Sequence, residues 1–170
     1  MILRCTAKLL RLLGARPERL TVISDDDWYA NLLWIDRRKG IVLTHVGTLF
    51  SVFTRDVHKA DLVPIGRFAV PAIERALVDE DLPMDALGHL NPDDVWVAPT
   101  ASRSVLGYMN DMGYLISRAV AATDVRGGDV MEINRSLQRQ LHRTGAGETG
   151  YNEPIEAARA WAARGVAGSG

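Results

Sequence analysis

The chain has 170 residues, and its 20 Lys and Arg against 21 Asp and Glu give a formal net charge of −1. This balance argues against a general nucleic-acid-coating protein while leaving a local basic patch open; the single cysteine excludes an intramolecular disulfide, and the four histidines have no metal-site spacing. No apolar run has the length of a signal or membrane segment, so we expect a cytoplasmic protein without membrane contact, metal or cofactor, with one domain over 1–164 and a flexible end at 165–170.

The chain begins with an apolar segment that predicts a strand at 1–4. A short helix should follow, with Thr6 as its cap and Gly14 at its end. Cys5 lies at the junction, where Lys8 and the helix start would favour a thiolate. We interpret it as a small buried residue, because no histidine is near it in sequence.

Residues 28–54 follow a β pattern with polar breaks. Aromatic and branched residues fill 28–35, a polar turn spans 36–40, and apolar residues return at 41–45. A second break precedes 49–54, which is also compatible with the start of a helix. The pattern predicts a meander of three antiparallel strands.

Asn31 interrupts the apolar run of the first of these strands. A buried amide needs hydrogen-bond partners, so Asn31 is either a structural tether or a site residue. In the second case it would share one face of the sheet with Thr44, His45 and Ser51.

The turn at 36–40 contains the one compact basic cluster of the sequence, Arg37, Arg38 and Lys39. A basic turn is either simply solvated or in contact with phosphates. Arg37 and Arg38 are therefore candidate binding residues.

The second half of the chain is predicted to be largely helical. Apolar residues at helical spacing indicate helices at about 71–81, 102–123, 130–142 and 154–164, with a strand at 94–99. The fold class is α+β: an antiparallel sheet, made of the meander and the strand before the central helix, packed against two to four helices. The G-x-G-x-x-G pattern at 145–150 follows a helix rather than a strand, so it does not indicate dinucleotide binding.

The start of the long helix carries the most concentrated polar chemistry. Ser102 is the predicted N-terminal cap, Arg103 adds a guanidinium beside unpaired backbone N–H groups, and Ser104 adds a second hydroxyl. Asn110 lies at the border of the apolar face, and Asp111 lies on the outer face. Either an anion binds here, or the hydroxyls only cap the helix and Arg103 pairs with a carboxylate.

Six segments occur in the order MILRCT-x-KLL, DWYANL-x-x-IDRRK, TLFSV, KADL, SRSVLG-x-MND and GY-x-x-PIEA. Together they resemble an uncharacterised bacterial domain-of-unknown-function family, over nearly the whole chain. The resemblance implies no established activity, cofactor or catalytic residue. It directs attention to the polar motif positions, which are Arg4, Asn31, Asp36, Arg37, Arg38, Ser102, Arg103, Ser104, Asn110 and Asp111.

Two functions from different classes follow. The first is a binding or accessory protein that recognises an anionic group on a protein partner, nucleotide or nucleic acid through the helix start, with Arg37 and Arg38 as further contacts. The alternative is a hydrolase or nuclease-type enzyme with Asp111 or His45 as base and Arg103 holding a developing oxyanion. The enzyme requires these three groups to converge in space.

Overall fold

The computed structural model describes residues 1–18, 20, 22–122, 129–143 and 151–167. Five strands form the central sheet: β1 (Ile2–Cys5), β2 (Trp28–Ile35), β3 (Arg38–His45), β4 (Ser51–Thr54) and β5 (Trp96–Pro99). Their order across the sheet is β4–β3–β2–β1–β5. Two further short strands, β6 (His142–Arg143) and β7 (Tyr151–Asn152), pair with each other. The predicted pattern at 145–150 lies outside the described residues, as do 123–128 and 168–170.

The predicted meander is present, because β2 pairs antiparallel with β3 and β3 pairs antiparallel with β4. The prediction of a wholly antiparallel sheet is wrong: β1 runs parallel to both of its neighbours, β2 and β5. Parallel neighbours need a crossover of a dozen or more residues. The segment between Cys5 and Trp28, with its helix, provides that crossover from β1 to β2. The α+β class holds, with a mixed sheet.

Within the described residues, five α-helices cover the two faces of the sheet, more than the two to four predicted. Those on the first face, together with a 3-10 helix at Lys59–Leu62, are α1 (Ala7–Leu13), α2 (Gly66–Val78) and α5 (Pro154–Ala167). Those on the second face are α3 (Arg103–Ala122) and α4 (Val130–Gln138). Because side chains alternate along a strand, Trp28 lies in the first core and Tyr29 in the second.

The β2–β3 connection is tighter than predicted. Only Asp36 and Arg37 form the turn, with φ of 55° and 63°, and β3 already begins at Arg38. Two consecutive residues with positive φ are the geometry of a type I′ turn, whose twist matches that of the flanking strands.

Two predicted helices have different ends in the structure. α2 begins at Gly66 rather than near Pro71, since Ala69 and Val70 are buried and extend the apolar face towards the N-terminus. α4 ends at Gln138, and His142 lies in β6 rather than in a helix.

α4 also covers the outer edge of β4 with side-chain amides. Asn134 accepts the Phe53 N–H at 2.7 Å and donates to the Phe53 carbonyl oxygen at 3.1 Å. Gln138 accepts the Ser51 N–H at 3.2 Å and donates to the Ser51 carbonyl oxygen. The two amides occupy backbone groups that a neighbouring strand would otherwise take.

Candidate functional site at the carboxyl ends of β1 and β5

The chain leaves the neighbouring parallel strands β1 and β5 towards opposite faces of the sheet. After Cys5 it enters α1, whose Leu9 lies in the first core, and after Pro99 it enters α3, whose Val105 lies in the second. In open α/β sheets, ligands bind in the crevice outside the carboxyl ends of two such strands. The polar residues that follow β1 and β5 therefore define the candidate site.

Arg4, next to the end of β1, hydrogen-bonds both to the segment before β2 and to the end of β5. Its fully buried guanidinium donates from Nε to Asp27 Oδ2 at 2.6 Å. Nη1 donates to the carbonyl oxygens of Leu20, at 2.9 Å, and Pro99, at 3.4 Å, while Nη2 donates to that of Val22. Since four of its five N–H donors are used within the protein, Arg4 positions the site rather than binding a ligand.

The start of α3 is fixed by hydroxyl groups. The Tyr29 hydroxyl accepts the backbone N–H groups of Ala101, at 3.2 Å, and Ser102, at 2.8 Å. Ser102 Oγ accepts the Val105 N–H at 3.3 Å and lies 2.9 Å from Ser104 Oγ. Ser102 is thus the helix cap, as the sequence predicted, and its hydroxyl serves its own helix.

Three polar residues that lie just beyond the carboxyl ends of β1 and β5 keep unused donors. Arg103 and Lys8 are exposed and make no hydrogen bond or ion pair within the described part of the chain. Asn31 Oδ1 accepts the Thr6 hydroxyl at 3.1 Å, and the Asn31 amide nitrogen has no partner among the described residues. A guanidinium, an ammonium and an amide N–H are all donors suited to an anion.

The other predicted site residues lie elsewhere. Asn110 and Asp111 are exposed on α3, and at 1.5 Å per residue Asp111 lies about 12 Å along the axis from the helix start. Arg37 and Arg38 lie at the tip of the β2–β3 hairpin, where Arg38 pairs with Asp56 at 2.9 Å. The structure therefore groups Asn31, Ser102, Arg103 and Ser104 at the carboxyl ends of β1 and β5. Arg37 and Arg38 lie further out at the same end of the sheet, and Asn110 and Asp111 lie further along α3.

His45 is buried on the opposite face of the sheet from α3. Its ring packs between those of Trp28 and Trp161, with centroids at 5.1 Å and 5.2 Å, and its Nδ1 lies 3.0 Å from Thr48 Oγ1. Burial lowers the pKa of His45 to about 4, so the ring is neutral at pH 7. His45 does not meet Arg103 or Asp111.

Burial likewise raises the pKa of the Cys5 thiol to about 12. A thiol with this pKa is protonated at neutral pH and is a poor nucleophile. The interpretation of Cys5 as a small buried residue agrees with its place in the first core.

A buried polar cluster on the second face was not predicted from the sequence. Thr44 Oγ1 and Ser51 Oγ lie 2.9 Å apart, and Gln138 bonds the Ser51 backbone. The rings of Tyr108 and His142 pack beside it in a tilted arrangement, with centroids at 5.2 Å, and burial raises the pKa of Tyr108 to about 12 and lowers that of His142. Only the alternation that places Thr44 and Ser51 on one face indicated part of this cluster.

A family model described as "Domain of unknown function (DUF6933)" matches residues 2–157. No curated protein matches the sequence. Within the described ranges, no helix is long and apolar enough to cross a bilayer, and no three His, Cys, Asp or Glu side chains are grouped as metal ligands.

Proposed function

The chain belongs to this DUF6933 family, and we propose that it is a small bacterial, cytoplasmic binding protein that takes an anionic group at the carboxyl ends of β1 and β5. The anion is a phosphate or carboxylate carried by a nucleotide, a nucleic acid or a protein partner. Arg103 provides the charged fork, and the Arg103 and Ser104 backbone N–H groups and the Asn31 amide provide neutral donors.

The observation that carries this proposal is an exposed Arg103, without a partner among the described residues, at the first position of α3, beside strand ends from which the chain departs to opposite faces. The Tyr29 hydroxyl and the Ser102 cap hold the helix start in place before any ligand arrives. Because a preformed site needs no ordering on binding, little affinity is lost to conformational entropy.

The enzyme alternative lacks comparable support. Its proposed base His45 is buried on the opposite face of the sheet from Arg103, and Asp111 points outward from α3. General acid–base catalysis needs hydrogen-bond reach between the participating groups.

A thermal-shift titration tests the proposal with the wild type, Arg103→Ala and Arg118→Ala against phosphate, sulfate, nucleotides and short RNA. At a hundred times its dissociation constant a ligand adds about 2.7 kcal/mol, which raises the Tm by roughly 5–10 °C for a chain of this size. We expect Arg103→Ala to abolish this shift. Arg118→Ala is the matched control, since Arg118 is exposed near the other end of α3 beside the Tyr114 ring, and it should preserve the shift.

Asn31→Asp is a second variant that tests the same anion site. The substitution keeps an oxygen for the Thr6 hydroxyl but replaces the free amide donor with a negative charge. Binding of every anion should weaken, because like charges repel at short range. Unchanged shifts in both Arg103→Ala and Asn31→Asp would place the anion elsewhere and overturn the proposal.

A further inference from the structure

The β2–β3 hairpin projects beyond the crevice at the same end of the sheet. β1 ends opposite Ala30, so the five residues Asn31–Ile35 of β2 continue past it. At about 3.3 Å per residue the hairpin tip lies roughly 16 Å further along the strand direction. The tip and the carboxyl ends of β1 and β5 therefore lie at the same end of the sheet, and alternation along β2 places Trp34 on the face of Trp28, opposite α3.

An exposed tryptophan lies on this tip. Trp34 has 61% of its surface accessible, although it sits in a strand whose inward-facing residues are buried. It pairs across the hairpin with Lys39, whose ammonium lies 5.2 Å from the ring centroid. A large exposed aromatic ring with a cation beside it is a typical surface for a flat, negatively charged ligand.

The tip also has an excess of positive charge. Arg37 occupies the turn at φ 63° and makes no bond within the described residues, while Arg38 is already paired with Asp56. Arg55, whose Nε is buried and unpartnered, follows β4 beside the start of β3. After the Arg38–Asp56 pair is discounted, residues 34–40 and 54–56 contain three further cations, Arg37, Lys39 and Arg55, and one further carboxylate, Asp36.

We propose that this tip is a contact surface for single-stranded nucleic acid, in which Trp34 stacks on a base and Arg37 and Lys39 contact neighbouring phosphates. Proteins that bind single strands combine such stacking rings with a basic track, and stacking tolerates any base. The proposal deepens the proposed function, on which it rests, by naming the carrier of the anion: a phosphate of the same strand occupies the Arg103 crevice.

Fluorescence anisotropy with labelled oligo-dT and oligo-U of roughly 12 nucleotides tests the inference. We expect Trp34→Ala to weaken binding about 5- to 100-fold and Trp34→Phe to recover part of the loss, because a phenyl ring still stacks. Trp96→Ala is the matched control. Trp96 is 54% exposed but lies at the start of β5, at the opposite end of the sheet, so its loss should leave the affinity unchanged.

The salt dependence separates stacking from charge. Arg37→Gln should reduce the slope of log affinity against log salt by about 0.7, the value for one phosphate contact on a single strand. Trp34→Ala should leave this slope unchanged. Because Gln, like Arg, has a side chain at this positive φ, the substitution leaves the backbone strain of the turn unchanged. The comparison therefore reports the loss of the charge.

The outcomes for the tip and for the crevice are distinguishable. Equal affinities for Trp34→Ala and Trp96→Ala, or no oligonucleotide binding by the wild type, would overturn the nucleic-acid inference. If inorganic phosphate still gives a thermal shift that Arg103→Ala removes, the proposed anion site stands alone. Oligonucleotide binding that depends on Trp34 but not on Arg103 would instead support the tip and reject the crevice.

Discussion

Arg4 joins more separate chain segments than any other side chain described above. Its guanidinium bonds a carboxylate and three backbone carbonyls, which belong to the segment before β2 and to the end of β5. Removing one partner of a buried ion pair leaves an uncompensated charge in a poorly solvated place. Arg4 is thus the residue on which the geometry of the crevice depends most.

Arg4→Met should therefore destabilise the protein by about 3–5 kcal/mol, because the Asp27 carboxylate and three carbonyl oxygens lose their donor. Urea unfolding measures the change. Arg38→Met is the control, since it removes an exposed ion pair with Asp56, at 2.9 Å, and its effect should be far smaller. Similar losses for both variants would show that the buried network has no special role.

His45 makes the stability of the protein depend on pH. Its pKa is about 4 in the folded protein and near 6.5 in the unfolded chain, so the unfolded state binds more protons between these values. Stability is complete above pH 6.5 and falls as the pH drops towards 4. The total loss is about 3 kcal/mol, of which about 2 kcal/mol has appeared by pH 5.

His45→Gln removes this titration while keeping a polar group near Thr48. Between pH 7 and pH 5 the variant should lose about 2 kcal/mol less stability than the wild type, as measured by urea unfolding at each pH. Carboxylates and His142 titrate in both proteins and cancel in the difference. Parallel pH profiles would mean that His45 is protonated without penalty in the fold.

At the outer edge of the sheet, α4 takes the place of a strand next to β4. Asn134 and Gln138, one helical turn apart, bond both backbone groups of Phe53 and Ser51. An uncovered edge strand presents unpaired donors and acceptors to other chains. The helix thus both completes the hydrogen bonding of the sheet and guards its edge.

Asn134→Ala should cost about 1–3 kcal/mol, because the Phe53 N–H and carbonyl lose their partners at a partly buried edge. The double variant with Gln138→Ala should also self-associate with rising concentration, which size-exclusion chromatography measures. Asn110→Ala on the exposed face of α3 is the control and should stay within about 0.5 kcal/mol of the wild type. A monomeric double variant at full stability would contradict the edge-guarding role.

The extent of prediction from sequence also differs by element. Period-two and helical patterns located the meander, β5 and the long helix, and the cap at Ser102 follows from local chemistry. The direction of β1 was not predictable, because it depends on where the crossover returns the chain. The hydrogen bonds from the Asn134 side-chain amide to β4 were also not predictable, because a polar residue on a helix gives no sign that it meets a strand edge.

At the scale of the molecule, the two helical layers are joined around the edge of the sheet. Glu80, just after α2 on the first face, forms a two-pronged ion pair with Arg139, just after α4 on the second, at 2.9 Å and 2.8 Å. This closed edge contrasts with the opposite side, where the carboxyl ends of β1 and β5 carry unused donors.

The candidate site was only half predictable, because residue types are visible in the sequence and the strand order is not. Asn31 and Ser102–Ser104 were chosen from their residue types, and the topology brings them to one end of the sheet. Lys8 was noted only as a neighbour of Cys5, and the parallel pairing of β1 with β5 brings the end of β1, after which Lys8 follows, to the same end of the sheet as the start of α3. Residue chemistry is readable from sequence, whereas convergence requires the strand order.

A phosphate titration followed by amide NMR spectra of the wild-type chain tests directly whether an anion binds at the start of α3. We expect saturable shifts of the Arg103 and Ser104 backbone amides and of the Asn31 side-chain NH₂, with little change at Arg118 or around β4. The same peaks should stay still in Arg103→Ala. Saturable shifts confined to other regions, or none at all, would show that the crevice between β1 and β5 is not an anion site.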